Sequence, residues 1–403
     1  MDQRIISLGE DRGTPYRAAM SDAPVTHINL ADFAADPYPV LARMRARTPV
    51  TYVPELGATL ITRRDDVHTQ EKRTDVFSSR QPDGLMTRLM GENMMRKDGE
   101  AHMVERKALF PALSPRTVQE HWKPIFHAAA RHHIKRLIPR GSCNLVTDFA
   151  MPVAASALKA ITGLEAMTDA EMDSVSQAMI DGCANYAGDK GTENRCKRAT
   201  RFIDDHISDA RQDPPARSAL HVMTDAGLPD DSVRANIKLI ISGGQNEPRD
   251  AIAGTVWALL KHPSQLAMIE DGRATWADAF AEYARWISPI GMSPRRVARA
   301  DTVLGVTFEP EDRVFLMYGS ANRDEAHFTV PDNFDITRNT QPAISFGAGP
   351  HFCAGAAASR CLITEVALPL AFTHLKNLRL AGDVPFTGWA FRGPVKMPVK
   401  WDT

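Results

Sequence analysis

Apolar residues recur at helical spacing along most of this chain. In most segments of its 403 residues they fall three or four positions apart, which places them on one face of a helix. This period predicts helices at residues 36–47, 100–112, 115–138, 146–163, 168–187, 191–211, 230–262 and 275–287. Short β-branched or alternating runs predict strands at residues 50–53, 59–62, 296–308 and 313–317. We therefore expect a mainly α fold with a minor β part.

The longest predicted helix, 230–262, is interrupted near its middle. Gly243 and Gly244 are followed by Pro248, and in a helix interior each glycine costs about 1 kcal/mol and the proline about 3. Pro248 has no N–H, so it cannot bond the carbonyl four residues back, at Gly244. We expect a kink with room for a small ligand or a water molecule. A kink without such a role and two separate helices are the alternatives.

Composition and charge narrow the classes of function. The formal net charge is −1 and hydrophobic residues make up 43% of the chain, so a large core is expected and a nucleic-acid partner is not. Five cysteines without close pairing indicate a reducing compartment rather than a disulfide scaffold. Residues 1–7 are polar and begin no apolar run long enough for a signal peptide or anchor. We expect a cytoplasmic protein with no membrane partner.

One cysteine stands where metal chemistry is expected. Cys353 ends a glycine-rich loop and precedes an alanine-rich helix, and the field at a helix start favours the thiolate, the form that binds metal. Gly347 and Gly349 permit tight turns, while Phe346 offers an apolar face to a flat cofactor. A single thiolate suits an axial ligand of haem iron better than a multi-cysteine cluster. The alternative is a buried cysteine in a glycine turn.

The same loop resembles a known family. Residues 346–360 begin Phe-Gly-Ala-Gly-Pro-His-Phe-Cys-Ala-Gly, which is similar to the haem-thiolate loop of the cytochromes P450, F-G-x-G-x-H-x-C-x-G. The resemblance implies a single-domain fold in which haem b lies between a long distal helix and the proximal cysteine loop, with Cys353 as the iron ligand. It implies a haem domain over residues 25–403 after an N-terminal extension, 1–24. The missing anchor matches the soluble bacterial type.

The distal helix departs from the family pattern. Aligning Gly243 and Gly244, which would lie against the haem, puts Asn246 where the family has an acid and Glu247 where it has a threonine. In the family this acid–alcohol pair delivers protons to the oxygen site. Glu247 then becomes the expected proton donor, because burial would raise its pKa towards neutrality. The alternative is that Glu247 pairs with Arg249 or Arg296 and only shapes the pocket.

The resemblance assigns further residues. The Glu-x-x-Arg pair Glu282 and Arg285, with Arg338, would hold the scaffold of the haem loop. Partners expected for the haem propionates are His102, Arg106, Arg296 and His351, with Arg295 and Arg299 as weaker candidates. The substrate pocket is expected to include Met86, Leu89, Met90, Ile290, Met292 and Phe391.

Two segments indicate a class within the family. Residues 243–250 and 388–394 resemble the haem domain of the self-sufficient bacterial class, and the Glu-Pro pair is shared with bacterial aromatic O-demethylating members. The resemblance implies O2-dependent hydroxylation and O-dealkylation of small aromatic substrates. Electrons would come from NAD(P)H through an FMN/2Fe-2S reductase, fused or separate, or a ferredoxin. As no such module follows in the sequence, the chain is expected to be a haem domain or a standalone relative. A peroxide-driven peroxygenase and a haem-binding protein without turnover are the alternatives.

Overall fold

The computed structural model describes residues 21–185 and 188–403, and these are mainly helical. The helices are α1 (Leu30–Ala35), α2 (Tyr38–Arg47), α3 (Arg64–Gln70), α4 (Leu85–Met90), α5 (Gly99–Leu113), α6 (Pro115–Thr117), α7 (Lys123–Leu137), α8 (Met151–Thr162), α9 (Asp169–Cys183), α10 (Lys190–Ala210), α11 (Ala219–Asp225), α12 (Asp230–Ser242), α13 (Asn246–Lys261), α14 (Pro263–Glu270), α15 (Trp276–Trp286), α16 (Tyr318–Ala321), α17 (Ala356–Arg360) and α18 (Leu368–His374). The strands are β1 (Val50–Val53), β2 (Ala58–Ile61), β3 (Phe77–Ser78), β4 (Ser142–Asn144), β5 (Ser293–Val297), β6 (Asp301–Val303), β7 (Val306–Phe308), β8 (Arg313–Leu316), β9 (Lys376–Leu380), β10 (Phe386–Thr387), β11 (Gly393–Pro394) and β12 (Pro398–Asp402). Short 3₁₀ or π turns lie at Pro54–Leu56, Met94–Arg96, Val118–Trp122, Ile138–Arg140, Val146–Ala150, Gly349–His351 and Cys361–Ala367.

The helical prediction is confirmed, with one revision in the middle of the chain. The predicted helix 230–262 is two helices, α12 and α13, separated at residues 243–245. Pro248 lies in the first turn of α13, where a missing N–H costs no helical hydrogen bond. The proline therefore marks the start of a second helix instead of kinking a continuous one. Most of the predicted extension 1–24, and the last two residues of the predicted helix 168–187, lie outside the described residues.

The chain forms two compact units, each built from several segments. The first contains the described residues up to Gln81, together with Ala281–Cys353 and Phe386–Gly393. Its centre is a five-stranded mixed sheet of order β1-β2-β8-β5-β3. Strands β1 and β2 form a hairpin that turns at Gly57, where φ is +56°. Strand β2 then pairs in parallel with β8, from Thr59 opposite Val314 to Ile61 opposite Leu316.

Apolar residues cover this sheet. One cluster of the first unit includes Ile61, Val67, Phe77, Val297, Phe308, Val314, Leu316, Tyr318 and Ile344. A second includes Phe33, Leu41, Met44, Val53, Leu60, Phe315 and Met317. Residues that alternate along β8 thus enter different clusters, as expected where successive side chains point to opposite faces.

The second unit comprises Pro82–Phe280, Ala354–Pro385 and Pro394–Thr403. Its helices form for reasons visible in the sequence. In α9, Thr168 and Glu171 form a reciprocal capping box, which satisfies two backbone N–H groups at the helix start. The buried side chains of α10 include Cys196, Ala199, Ile203 and Ile207, which form one apolar stripe. A small sheet of order β4-β12-β9 completes the unit.

One helical run of the second unit is long and apolar. Ala356–His374 has the length and composition that could cross a membrane, with a mean hydropathy of 1.3, and 56% of it is buried inside the protein. Burial of this kind is what the core helix of a globular protein shows.

Candidate active site

The cysteine loop is a set of tight turns closed by backbone hydrogen bonds. The Cys353 N–H donates to the Phe346 carbonyl oxygen at 2.9 Å, and the Gly347 N–H donates to the Ile344 carbonyl oxygen at 2.9 Å. Gly347 and Gly349 have φ of +72° and +64°, a region in which a Cβ is strained. Cys353 is half-buried at the end of this loop. The side chain is thus presented from a backbone whose path is fixed on both sides.

The loop lies directly on the end of helix α3. A Cβ added to Gly349 would meet Lys72 Cγ at 3.0 Å and the Glu71 carbonyl oxygen at 3.2 Å, and one added to Gly347 would meet Tyr318 Oη at 3.2 Å. Both glycines are therefore needed for close approach as well as for their dihedral angles.

The other loop residues are partly exposed. The rings of Phe346 and Phe352 lie 6.4 Å apart between centroids, and Phe352 is 38% exposed. His351 is half-buried in the 3₁₀ turn Gly349–His351. A basic and an apolar residue, His351 and Phe352, thus directly precede Cys353 in the loop.

A buried ion pair lies in the first unit. Glu282 and Arg285 have fully buried side chains and contact at 2.7 Å, and Arg338 Nε donates to Glu282 Oε1 at 3.3 Å. Arg285 also donates to the carbonyl oxygens of Asn322, Pro331 and Asn333 at 2.9 to 3.2 Å. The structure thus brings the three residues together, around a core pair and not a surface one.

Replacing Glu282 with alanine should lower the free energy of unfolding by about 3–5 kcal/mol, because it leaves the Arg285 charge buried without its carboxylate. Urea unfolding measures this loss. The matched control is Glu120→Ala in the exposed pair Arg116–Glu120, whose side chains are 83% and 54% exposed and which should lose less than about 1 kcal/mol. Equal losses in the two variants would contradict a supporting role for the buried pair.

In the second unit, the break between α12 and α13 presents bare backbone. Gly243 is exposed although most residues of both helices are buried. A Cβ at Gly244 would lie 2.5 Å from the Ile240 carbonyl oxygen and 2.9 Å from Leu158 Cδ1. A side chain is therefore excluded at Gly244, and Gly243 leaves its exposed backbone uncovered by a side chain.

Three consecutive polar side chains follow this break. Gln245 Oε1, Asn246 Oδ1 and Glu247 Oε2 are buried and accept no hydrogen bond from the residues that the structure describes. Buried acceptors are normally satisfied. Burial, with the Asp250 carboxylate as a smaller cause, raises the pKa of Glu247 to about 7. Glu247 is therefore able to hold or release a proton near neutral pH.

The two arginines considered as partners of Glu247 contact other carboxylates. Arg249 lies 2.8 Å from Asp250 and 3.2 Å from Asp173 of α9. In the first unit, Arg296 donates to the Arg80 carbonyl oxygen at 3.1 Å and pairs with Glu311. The Arg249 charge still acts on Glu247 and opposes part of the rise in its pKa. Both roles of Glu247, proton donor and ion-pair partner, stay predictions.

The expected propionate partners occur in both units. His102, 1% exposed, and the half-buried Arg106 lie one turn apart on α5. Arg296, on β5, has the protein contacts just described, and His351 lies in the cysteine loop. Of the weaker candidates, Arg295 is buried against Glu71 at 2.8 Å, and Arg299 forms an exposed pair with Asp75 at 2.7 Å. Propionate binding stays a prediction for all of these residues.

The residues expected in the substrate pocket differ in how deeply they are buried. Met86, Leu89 and Met90 belong to α4, and Met90 is buried, with Cys183 Sγ of α9 at 3.5 Å from its sulfur. In the first unit, Ile290 and Met292 are half-buried against the two apolar clusters. Phe391 is 46% exposed and forms a bridge with Ile290. Met90 thus packs as a core residue, and the others keep some accessible surface.

The sequence analysis did not identify three residues that contact the site residues: Asp173 near Gln245 and Arg249, and Glu71 and Tyr318 at the cysteine loop. Asp173, which also accepts from Gln245 Nε2 at 3.0 Å, is an ordinary polar position of α9 in the sequence. Glu71 and Tyr318, which lie under the cysteine loop, carry no motif. Only the excess of glycine in the loop signals that another part of the chain must approach it closely.

The residues present fit a haem group. Within residues 21–185 and 188–403, there is no group of three or more His, Cys, Asp and Glu side chains that could hold a metal. A single thiolate ligand from Cys353 needs no such group. The bare backbone at Gly243 suits a planar group. In the second unit, the buried acceptors at residues 245–247 suit small polar ligands.

Comparisons with known proteins agree with this chemistry. The family model described as Cytochrome P450 matches residues 278–368. Cytochrome P450 107B1 of Saccharopolyspora erythraea is 28% identical over 91% of this chain and 96% of its own length. The steroid C26-monooxygenase of Mycolicibacterium smegmatis is 28% identical over 88% of this chain and 90% of its own. The structure of P450BioI in complex with an acyl carrier protein has a TM-score of 0.83 at 22% identity, covering 92% of this chain and 99% of that one. This last similarity concerns the fold alone.

Proposed function

Because this chain belongs to the cytochrome P450 superfamily and is a haem-thiolate monooxygenase, we propose that it hydroxylates and O-dealkylates small aromatic substrates. The observation that carries the proposal is the Asn246-Glu247-Pro248 sequence at the start of α13, where the carboxyl of Glu247 has a pKa of about 7. This sequence resembles the aromatic O-demethylating and self-sufficient members of the family, and it differs from the usual acid–threonine pair.

Residues of this chain would hold the haem. Cys353 would supply the thiolate ligand of the iron, and His102, Arg106, Arg296 and His351 are proposed to bind the propionates. When bound, the haem supplies reductive activation of O2, which the thiolate favours by donating electron density. The glycines of the loop allow backbone N–H groups to approach the sulfur and tune that donation.

The proposed role of Glu247 is to supply protons. Its carboxyl is protonated in an appreciable fraction of molecules near pH 7, because its pKa is about 7, and a general acid works best under that condition. The Asn246 Oδ1 atom is an acceptor that can hold a water molecule or hydroxyl group beside it. We infer that the two residues together replace the acid–alcohol pair.

The overall reaction balances with an external reductant. A C–H bond, O2, two electrons and two protons give a C–OH bond and water. In an aryl alkyl ether, hydroxylation next to the ether oxygen gives a hemiacetal, which breaks into a phenol and an aldehyde. We propose that the electrons come from NAD(P)H through an FMN/2Fe-2S reductase, fused or separate, or through a ferredoxin. We propose a cytoplasmic location for this system.

A peroxygenase is the second candidate, because a carboxylic acid at position 247 can also donate a proton to hydrogen peroxide. We propose to test both with 4-methylanisole. With reductase, NADH and ¹⁸O₂ we expect 4-cresol and ¹⁸O-labelled 4-methoxybenzyl alcohol. Product formed with hydrogen peroxide but not with reductase would support the peroxygenase. The printed name of the Mycolicibacterium relative gives a steroid as its substrate, so a steroid is the comparison substrate. Turnover of the steroid and not of 4-methylanisole would contradict the aromatic proposal.

A further inference from the structure

A buried cluster of three polar side chains lies in the first unit. Glu71, at the end of α3, is completely buried, and Arg295 and Tyr318 are 3% and 6% exposed. Glu71 Oε1 accepts a hydrogen bond from Tyr318 Oη at 2.7 Å and one from Arg295 Nη2 at 2.8 Å. Burial, together with the Glu71 carboxylate, raises the pKa of Tyr318, so the phenol stays neutral. The cluster therefore holds one negative and one positive charge out of water.

This cluster contacts the cysteine loop. A Cβ on Gly347 would lie 3.2 Å from Tyr318 Oη and 3.7 Å from Glu71 Oε2. The residue before this glycine, Phe346, accepts the hydrogen bond from the Cys353 N–H. Movement of the Glu71 or Tyr318 side chain would therefore change the packing of the turn that positions Cys353.

The charges of the cluster are balanced but not fully hydrogen-bonded. Glu71 Oε2 and Arg295 Nε are buried and make no hydrogen bond to the residues that the structure describes. Stability alone does not require such a pair, because a buried ion pair is often no better than apolar packing of the same volume. A charge in this low-dielectric position acts strongly on groups nearby. Residues around a metal ligand commonly orient it and tune its electron donation in this way.

We propose that Glu71, held by Arg295 and Tyr318, is a positioning residue for the Cys353 thiolate. It supports the glycine turn that presents the sulfur, and together with Arg295 it sets the electrostatic field at the thiolate. This inference rests on the proposed haem-thiolate function. It assigns a role to Glu71 and Tyr318, which lie outside the cysteine loop and which no motif of the sequence marks.

The test is the reduction potential of the purified holoprotein in three variants. Glu71→Gln leaves the Arg295 charge uncompensated, so it should raise the potential, because a net positive charge favours the reduced state. Arg295→Gln leaves the carboxylate uncompensated and should lower it. Tyr318→Phe keeps both charges but removes a donor to Glu71 beside Gly347. We expect part of this protein to lose the thiolate-type band in the reduced, carbon-monoxide-bound spectrum.

The matched control is Glu325→Gln. Glu325 pairs at 2.8 Å with Arg45, which is 4% exposed, so the control also breaks a contact of a buried guanidinium in the same unit. It should leave the potential and the band as in the wild type. If all four variants keep the wild-type reduction potential and the thiolate-type band, and differ only in urea unfolding midpoint, the cluster is merely structural and the inference is wrong. If Glu71→Gln and Arg295→Gln do not fold, the thiolate-type band of Tyr318→Phe decides: a band as strong as in the wild type would contradict the inference. A wild type without the thiolate band would contradict the proposed function itself.

Discussion

Replacing Glu247 with glutamine is expected to slow product formation by about 10²- to 10⁴-fold while NAD(P)H consumption continues, since general acid catalysis contributes about that much. Glutamine keeps the size and polarity of the side chain but cannot release a proton. The electrons then reduce O2 to hydrogen peroxide, and less product forms for each NAD(P)H consumed. The raised pKa and the unsatisfied Oε2 atom of Glu247 are the physical basis for this expectation.

The proton role of Glu247 can also be tested by measuring how the fraction of electrons that reach product depends on pH. A general acid must be protonated, and the protonated fraction of Glu247 falls as pH rises through about 7. The fraction of electrons that reach product should therefore fall over that range in the wild type and stay flat in Glu247→Gln. Glu247→Asp retains a carboxyl and should recover part of the rate.

The control for this variant is Glu120→Gln, which removes an exposed carboxylate of the second unit. It should change neither the rate nor the profile. Unchanged coupling in Glu247→Gln would show that Glu247 only shapes the pocket.

The helical fold could be predicted because its signals are local. The apolar stripe of α10 and the capping box of α9 lie within single segments, and each predicts its helix without knowledge of the rest of the chain. The break near Gly243 was also visible, since glycine and proline are costly in helix interiors. The sequence could not decide between a kink and two helices, because Pro248 is also accepted in the first turn of a new helix.

The candidate site was predictable where one short segment carries it. Cys353 and the glycines of its loop lie together in the sequence, and so do Asn246 and Glu247. The Glu71 cluster was not predictable, because its members are 247 and 224 residues apart in the chain. A surface role for Glu282 and Arg285 was equally compatible with their spacing, and their complete burial depends on contacts from distant segments.

The second large effect concerns the metal ligand. Cys353→Ala should lose haem-thiolate ligation and, with it, monooxygenase turnover, because no other described cysteine occupies a comparable loop. The matched control is Cys361→Ala. Cys361 is buried, burial raises the pKa of its thiol to about 11, and it follows Cys353 by eight positions. This control should keep the thiolate ligand and lose only some stability, through the small cavity that it creates.

The most direct measurement of the central claim is the absorption spectrum of the reduced, carbon-monoxide-bound protein. The wild type and Cys361→Ala should show the shifted band of a thiolate-ligated haem, and Cys353→Ala should not. A wild-type spectrum without that band, or a Cys353→Ala spectrum that retains it, would contradict the assignment of Cys353 as the ligand.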